Sequence, residues 1–317
     1  MTESPLRTRQ YSSGSASDAL AWQQDVRRDL WRALRLDDLV GPDGLAGQRE
    51  PIPFAARVTD EEERDGYLLR QLELNATPDR RMPALLTVPP AEPASAPAPA
   101  MVCIHGHGGD RFAVHDADSI YNGLAPALAQ RGYATMAVDV GQHEVHEEGR
   151  IVMGERLWDL VRCVDYLQSL PEVDGGRVGC AGLSLGGEMA MWLGAMDTRI
   201  AVEVSAGFLT NMDHMEQNHC MCWKFDGLRE LVDYADIYAL TAPRPLMCQN
   251  GLLEPETQFH VPLARQALEE IIPIYRDLGR PAHVVLHVHG GGHEIDLPPL
   301  LDFVDRHLGG VTEGDTP

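Results

Sequence analysis

The chain has 317 residues, 44% of them hydrophobic, and its 48 acidic side chains outnumber 26 basic ones, for a formal net charge of -22. Such an acidic chain is a poor non-specific ligand for nucleic acid phosphates or anionic lipid, so we expect neither nucleic acid nor a membrane as a partner. The N-terminus lacks the apolar core of a secretory signal, and no later run reaches the roughly 18 apolar residues of a membrane span. These features predict a soluble, cytoplasmic protein.

The first third of the chain predicts one helix and three strands. An amphipathic helix is expected over residues 18–36. Its apolar side chains recur every four residues: Trp22, Val26, Leu30 and Leu34. Strands are expected over 54–62 and 67–75, joined by the hairpin signal Asp65-Gly66, and again in RRMPALLTVPP. A loop rich in proline and alanine follows the third strand.

The rest of the chain alternates short apolar strands with amphipathic helices, which is typical of a parallel sheet covered on both faces. The predicted helices cover residues 119–131, 154–170, 186–196, 258–278 and 296–308. We therefore expect an α/β fold with an eight-stranded, mostly parallel sheet. The predicted organisation is an N-terminal helical extension at 1–50 that packs on the core, an α/β domain at 51–310 and a tail at 311–317. A short lid is expected at about 208–238, after the sixth strand.

A serine between two glycines lies where a predicted strand meets a predicted helix, in RVGCAGLSLGGEMA. A serine that presents its hydroxyl above a sheet needs a very tight turn, and side chains at Gly182 and Gly186 would collide with neighbouring elements. The helix N-terminus adds a positive end where negative charge develops during acyl transfer. The pattern predicts Ser184 as a nucleophile, and the alternative is a glycine-rich turn that only packs a helix on a sheet.

A serine nucleophile needs a general base, and His293 is the predicted one. It lies in a glycine-rich loop after the last strand, where it can return over the sheet. Three other histidines compete with it, although they alternate within or at the end of a strand and so point at fixed faces of the sheet: His283, His287 and His289.

The base needs a carboxylate to orient it, and we predict Glu254. This residue follows a strand that ends at Gly251, and Glu256 is the nearby alternative. The order serine, acid, histidine along the chain is the one that this architecture requires. For the oxyanion hole we predict two backbone N–H donors, Leu185 after the nucleophile and His107 in the loop HGHGGD.

At these residues the sequence resembles the α/β-hydrolase superfamily, and within it the dienelactone-hydrolase-like and acetyl-xylan-esterase-like branch. The resemblance runs from about residue 50 to the end and rests on HGHGG, GLSLGGEMAMWLGAMD, APRPLMCQNGLLEPE and GGGHE. It implies an α/β-hydrolase fold and a serine enzyme that cleaves an ester or lactone without a metal. The chain departs from the family in carrying glutamate at the acid position, serine where dienelactone hydrolases use cysteine, and the unusual loop DVGQHEVHEEG.

Side chains in the lid are predicted to shape an apolar wall over the serine: Met215, Met221, Trp223 and Phe225. Two sets of residues could be metal ligands, and for both we expect the non-metal interpretation. The lid set has a C-x-C pair without a second matched pair, and in the other set His107 is already used through its backbone. The first set lies in the lid: His214, His219, Cys220 and Cys222. The second follows the first parallel strand: His105, His107, His115 and Asp110. We also expect the six cysteines to be mainly small buried hydrophobes, and we expect no cofactor.

Together these residues predict a serine hydrolase that cleaves a small-molecule carboxylic ester through an acyl-enzyme. Acetyl or short acyl esters and lactones are the expected substrates, and a homodimer is possible. An alternative keeps the same three residues for elimination of an acyloxy group, cyclisation or acyl transfer in biosynthesis. A third hypothesis, from a different class, is a binding protein that kept the fold and lost its activity.

Overall fold

One mixed β-sheet organises the computed structural model, which describes residues 6–41, 44–45, 51–89 and 96–309. Within those residues the strands are β1 (Arg57–Arg64), β2 (Tyr67–Asn75), β3 (Arg81–Val88), β4 (Ala98–Ile104), β5 (Ala134–Val138), β6 (Val173–Leu183), β7 (Ile200–Ala206), β8 (Leu246–Gly251) and β9 (Val284–His289). Their spatial order is β1-β2-β3-β5-β4-β6-β7-β8-β9. The pairs β1 with β2, β2 with β3 and β3 with β5 are antiparallel, and the pairs from β5 to β9 are parallel.

The α/β architecture agrees with the prediction, whereas the described residues form nine strands instead of the expected eight. The difference arises because three antiparallel strands precede a parallel part that itself has six strands. The N-terminal hairpin turns at Asp65-Gly66 as expected, with Gly66 at a φ of 84°. A positive φ is the conformation that such a two-residue hairpin turn requires and that glycine adopts without strain.

Helices cover both faces of this sheet. They are α1 (Ala16–Ala33), α2 (Leu124–Gln130), α3 (Val152–Ser169), α4 (Leu185–Met196), α5 (Met212–Asn218), α6 (Leu228–Leu231), α7 (Tyr234–Ala239), α8 (Val261–Asp277) and α9 (Leu297–Leu308). Helix α2 begins five residues later than the predicted range 119–131, after the left-handed Gly123. Among the described helices, none has both the length and the apolar character needed to cross a bilayer.

Alternating side chains of one central strand show how the core is divided. In β4, Val102 and Ile104 belong to a cluster that contains side chains of α1, α3, α4, α7 and α8, whereas Met101 and Cys103 belong to a second cluster with α2 and α9. Successive residues of a strand point to opposite faces, so the two clusters lie on opposite faces of the sheet. The central strands of the sheet are therefore buried on both sides, as their continuous apolar sequences predict, whereas the edge strand β1 is exposed along its whole length.

Helix α1 packs on the domain through its predicted apolar stripe. Val26, Leu30 and Leu34 are fully buried, and Gln23 Nε2 donates a hydrogen bond of 2.6 Å to the carbonyl oxygen of Ala242. Parts of the predicted extension at 1–50, and the predicted tail at 311–317, lie outside the described residues.

Four of the six cysteines are buried, and all six are free thiols. The two exceptions are Cys220, which is exposed, and Cys222, which is half-buried. Both lie in the lid segment, the name used here for residues 208–238 between β7 and β8. The expectation of small buried hydrophobes therefore fits four cysteines and fails for the CxC pair.

Candidate active site

Ser184 is the apex of a tight turn between β6 and α4. Its φ is 63° and its ψ is -124°, and its backbone N–H donates to the carbonyl oxygen of Ala206 on β7 at 2.9 Å. A side chain other than glycine in such a conformation costs on the order of 1–3 kcal/mol and persists where the surrounding structure enforces it. A strained backbone at a half-buried serine, held in place by the neighbouring strand β7, is the geometry expected of a nucleophile.

The two flanking glycines are required by close backbone contacts. A Cβ at Gly182 would lie 2.3 Å from the carbonyl oxygen of Gly186, and a Cβ at Gly186 would lie 2.1 Å from that of Ile104. Both distances are far inside van der Waals contact, and the obstacles are backbone atoms that cannot rotate away. The collision expected from the sequence is therefore present in the structure.

We expect Gly186→Ala to destabilise the fold by about 3 kcal/mol or more, because the added methyl group must displace β4 or α4. The free energy of unfolding, measured with urea, tests this. A matched control is Gly176→Ala on the same strand β6, where the nearest atom to the added Cβ, Asp174 Oδ1, is 3.4 Å away. Equal free energies of unfolding for the two variants would contradict the close backbone contact at Gly186.

His293 and Glu254 are brought together by the loops after β9 and β8. Nδ1 of the imidazole lies 3.1 Å from Oε2 of the carboxylate, whose side chain is only 1% exposed. The same Oε2 accepts a hydrogen bond of 3.1 Å from the backbone N–H of Phe259. Two donors thus fix the carboxylate, and a carboxylate at Nδ1 leaves Nε2 of the neutral ring free to accept a proton.

The three competing histidines have other partners. His283 Nδ1 lies 2.7 Å from the carbonyl oxygen of Pro243, and His289 Nδ1 accepts a hydrogen bond from Gly291 N–H. His287 Nε2 lies 2.7 Å from a carboxylate oxygen of Asp296, so it forms a second histidine and acid pair at the end of the sheet.

Gly207, directly after β7, lies between the serine turn and the imidazole. Its φ is 55°, and a Cβ there would lie 2.9 Å from His293 Cε1 and 3.0 Å from Leu183 Cδ1. The ring therefore packs against the backbone next to the nucleophile. No hydrogen bond joins Ser184 Oγ to His293 in the described structure, and such bonds are often long before substrate binds.

We expect Gly207→Ala to reduce kcat/KM for an ester by about 100-fold, because the methyl group would push the imidazole away from Ser184. Steady-state kinetics measure the effect. A cooperative urea unfolding transition of the same variant shows that it is still folded. An undiminished kcat/KM in a folded variant would argue against His293, in its position beside Gly207, as the base.

The loop after β4 approaches the nucleophile closely. A Cβ at Gly106 would lie 2.9 Å from the carbonyl oxygen of Leu183 and 3.1 Å from Ser184 Cβ. The loop is anchored by the N–H of Gly106, which donates to Tyr121 Oη at 2.5 Å. His105 also holds it: Nε2 accepts from Val140 N–H at 2.9 Å, so Nδ1 carries the proton and donates to the carbonyl oxygen of Gly106 at 2.8 Å.

The two amides predicted for the oxyanion hole belong to the two segments that meet here, the start of α4 and the loop after β4. Leu185 is the first residue of α4, and the first N–H groups of a helix have no partner within it. His107 follows Gly106 in the anchored loop, and its exposed side chain points to His143, with 2.8 Å between the two Nε2 atoms. Their role as donors to an oxyanion is part of the proposal below.

A buried carboxyl, that of Glu188, lies one helical turn after the nucleophile. Glu188 is fully buried, and this burial raises the pKa of its carboxyl to about 8, with Arg156 acting in the opposite direction. Burial therefore favours the neutral form of this carboxyl. A neutral carboxyl at this position does not repel the oxyanion that would form near Ser184.

Comparison with known proteins places the fold. Residues 85–219 match the model of the Dienelactone hydrolase family, and residues 161–285 match that of the BAAT / Acyl-CoA thioester hydrolase C terminal family. The chain is 28% identical to the putative hydrolase YtaP of Bacillus subtilis (strain 168) over 63% of this chain and 74% of that protein. It is 23% identical to the mitochondrial acyl-coenzyme A thioesterase 2 of Rattus norvegicus over 81% of this chain, spanning about half (51%) of that relative.

A solved structure, a putative acetyl xylan esterase from Bacteroides fragilis NCTC 9343, superposes with a TM-score of 0.71 at 19% identity, over 90% of this chain and 79% of that one. The chain has the α/β-hydrolase fold. It is similar to proteins of the dienelactone-hydrolase-like and acetyl-xylan-esterase-like branch, as its sequence predicts. The comparisons also support the predicted enzyme class, a carboxylic ester hydrolase.

Of the four residues predicted to form a pocket wall, two lie in the core, and the other two, Met221 and Phe225, line a cavity at the surface. Met215 and Trp223 are 5% and 1% exposed, and the ring of Trp223 packs against Tyr234. Phe225 is half-buried and lines a cavity of about 460 Å³ together with Cys222 and other lid residues. The first two side chains therefore support the lid, and a wall role remains a prediction for Phe225.

The sequence reasoning missed the aromatic layer that covers the base. Phe259 stacks on His293, with ring centroids 5.5 Å apart. His219 of the lid segment stacks in turn on Phe259, with ring centroids 4.7 Å apart. The only available signal was an aromatic residue five positions after the acid. The layer covers one side of the His293 ring, while the Glu254 side chain is 1% exposed and that of His293 29%. Burial of the carboxylate strengthens its interaction with the imidazole.

Proposed function

We propose that the protein is a serine esterase in which Ser184, His293 and Glu254 act as nucleophile, base and orienting acid. The observation that carries this proposal is the buried Glu254 carboxylate on Nδ1 of an imidazole that packs beside a strained, glycine-flanked serine. A histidine oriented in this way, next to a serine at a helix N-terminus, has the parts needed for acyl transfer.

In the proposed reaction, His293 Nε2 takes the proton of Ser184 Oγ as this oxygen attacks the ester carbonyl carbon. The carbonyl oxygen becomes an oxyanion, which the backbone N–H groups of Leu185 and His107 hold. As the intermediate collapses, His293 gives its proton to the departing alcohol and an acyl-enzyme remains. Water then attacks the acyl group by the same route, and the carboxylic acid and free serine are released.

The proposed substrate is a small neutral ester with a short acyl group. The acyl-CoA thioesterase relatives bring thioesters into consideration, but coenzyme A is a polyanion and this chain has a formal net charge of -22. Long-range repulsion would slow the encounter of two such partners. The similarity in fold to a putative acetyl xylan esterase favours an acetyl or comparably short acyl group.

A panel of p-nitrophenyl esters from acetate to octanoate, with the matching acyl-CoA thioesters, tests the substrate class. We expect the highest kcat/KM for acetate or propionate esters and at least about 100-fold less for the CoA thioesters. Hydrolysis through an acyl-enzyme places one oxygen of labelled water in the released acid. Release of unlabelled acid from a natural ester would instead indicate elimination of an acyloxy group, the alternative chemistry for the same residues.

A further inference from the structure

Four potential metal ligands from three separate segments meet beside the loop that follows β4. His107 comes from that loop, His143 from the loop after β5, and Cys220 and Cys222 from the lid segment. One ligand atom of each, an imidazole nitrogen or a thiol sulfur, lies within 4.8 Å of all the others. His107 and His143 approach through their Nε2 atoms at 2.8 Å, and Cys220 Sγ is 3.5 Å from His143 Nε2.

The two ligand sets weighed from the sequence do not form this group. His105 uses both ring nitrogens in hydrogen bonds, to the carbonyl oxygen of Gly106 and the N–H of Val140, and His219 stacks on Phe259. Only the CxC pair of the first set and His107 of the second take part, and the loop DVGQHEVHEEG supplies the fourth member. Since three of the four residues are exposed, an ion can reach the group from solvent.

Two imidazoles and two thiolates are a donor set typical of tetrahedral zinc. Bond lengths of about 2.0–2.1 Å to nitrogen and 2.3 Å to sulfur place neighbouring ligand atoms about 3.3–3.8 Å apart. The observed separations bracket this range, so movements on the order of 1 Å would close the site. His107 Nε2 and His143 Nε2 are close enough to share a proton, and a cation between them would take the place of that proton.

The surrounding charges suit a dithiolate site. Arg156 Nη1 lies 3.6 Å from Cys222 Sγ, and a cationic donor at this distance stabilises a thiolate ligand. Two thiolates and one divalent cation sum to zero charge. Lys224, which is exposed, forms an ion pair with Glu216, and this carboxylate balances its positive charge.

We propose that His107, His143, Cys220 and Cys222 bind one zinc ion, which fastens the lid segment to the loops after β4 and β5. The site touches the proposed function only through His107, whose backbone amide is a predicted oxyanion donor while its side chain binds the ion. Zinc would hold that amide and the lid in one arrangement. The chemistry at Ser184 needs no electrons or protons from the ion.

Zinc affinity of the reduced, chelator-treated protein is the first measurement, made by competition with a chromophoric chelator. We expect one equivalent bound with a dissociation constant below about 1 μM, and a thiolate-to-metal charge-transfer band when cobalt replaces zinc. The double variant Cys220→Ser/Cys222→Ser should weaken binding by at least about 100-fold and lose the band. His214→Ala, a lid histidine outside the group, should bind as the wild type does.

Protection of the lid is the second measurement, and it uses the one lysine of the chain, Lys224. We expect zinc to slow cleavage by a lysine-specific protease at least about 10-fold in the wild type and not in the double variant. A dissociation constant above 1 μM, or affinity unchanged in the double variant, would overturn the site. Ester hydrolysis is scored separately: a protein that binds zinc and cleaves no ester refutes only the proposed function.

Discussion

Ser184→Ala is expected to lower kcat for short p-nitrophenyl esters by at least about 10⁴-fold, because it removes the atom that forms the acyl-enzyme. Activity that remains would come from binding and the oxyanion donors alone. The fold should tolerate the change, since alanine keeps the Cβ and the backbone of Ser184 is held by Ala206 on the neighbouring strand. Steady-state kinetics on the purified variant measure the loss.

Covalent labelling separates loss of the nucleophile from loss of the fold. A fluorophosphonate should add one group to the wild type and none to Ser184→Ala, as read by intact mass. The melting temperature of the variant should stay within a few degrees of the wild type. Turnover above one tenth of the wild-type rate in a folded, unlabelled variant would show that another residue carries the reaction.

The sheet and its main helices follow from local patterns in the sequence. Apolar spacing in α1 and α3, glycine and proline at their boundaries, and the Asp65-Gly66 turn each encode structure within a few residues. The predicted count of eight strands was too low, because the parallel part of the sheet has six strands and not five. The spatial order of the strands was not predicted, since a local pattern does not contain long-range pairing such as β3 beside β5.

The candidate site divides in the same way. Ser184 and its glycines are a local motif, so their geometry could be predicted, and Glu254 and His293 follow from the order of strands. Phe259 could not be assigned, because its stacking on the imidazole depends on how a loop folds back over the sheet. His143 was likewise outside every predicted set, since its neighbours come from segments 36 and 77 residues away.

The two histidine and carboxylate pairs in and after β9 allow a matched test of the base. His293→Ala is expected to lower kcat by about 10³–10⁴-fold, because the remaining serine has no group to take its proton. His287→Ala removes an imidazole that is 2.7 Å from Asp296 in a partly buried pair, and should cost about 0.5–1 kcal/mol of stability with kcat within about threefold of the wild type.

His287→Ala is a close control for His293→Ala, because both histidines lie in or directly after the last strand and both contact a carboxylate. Only His293 packs against Gly207, next to the nucleophile, and has its carboxylate fixed by a second donor, Phe259 N–H. Stability measured with urea corrects each kinetic result for unfolding. If His287→Ala lost activity and His293→Ala kept it, the base would be reassigned and Glu254 would lose its proposed role.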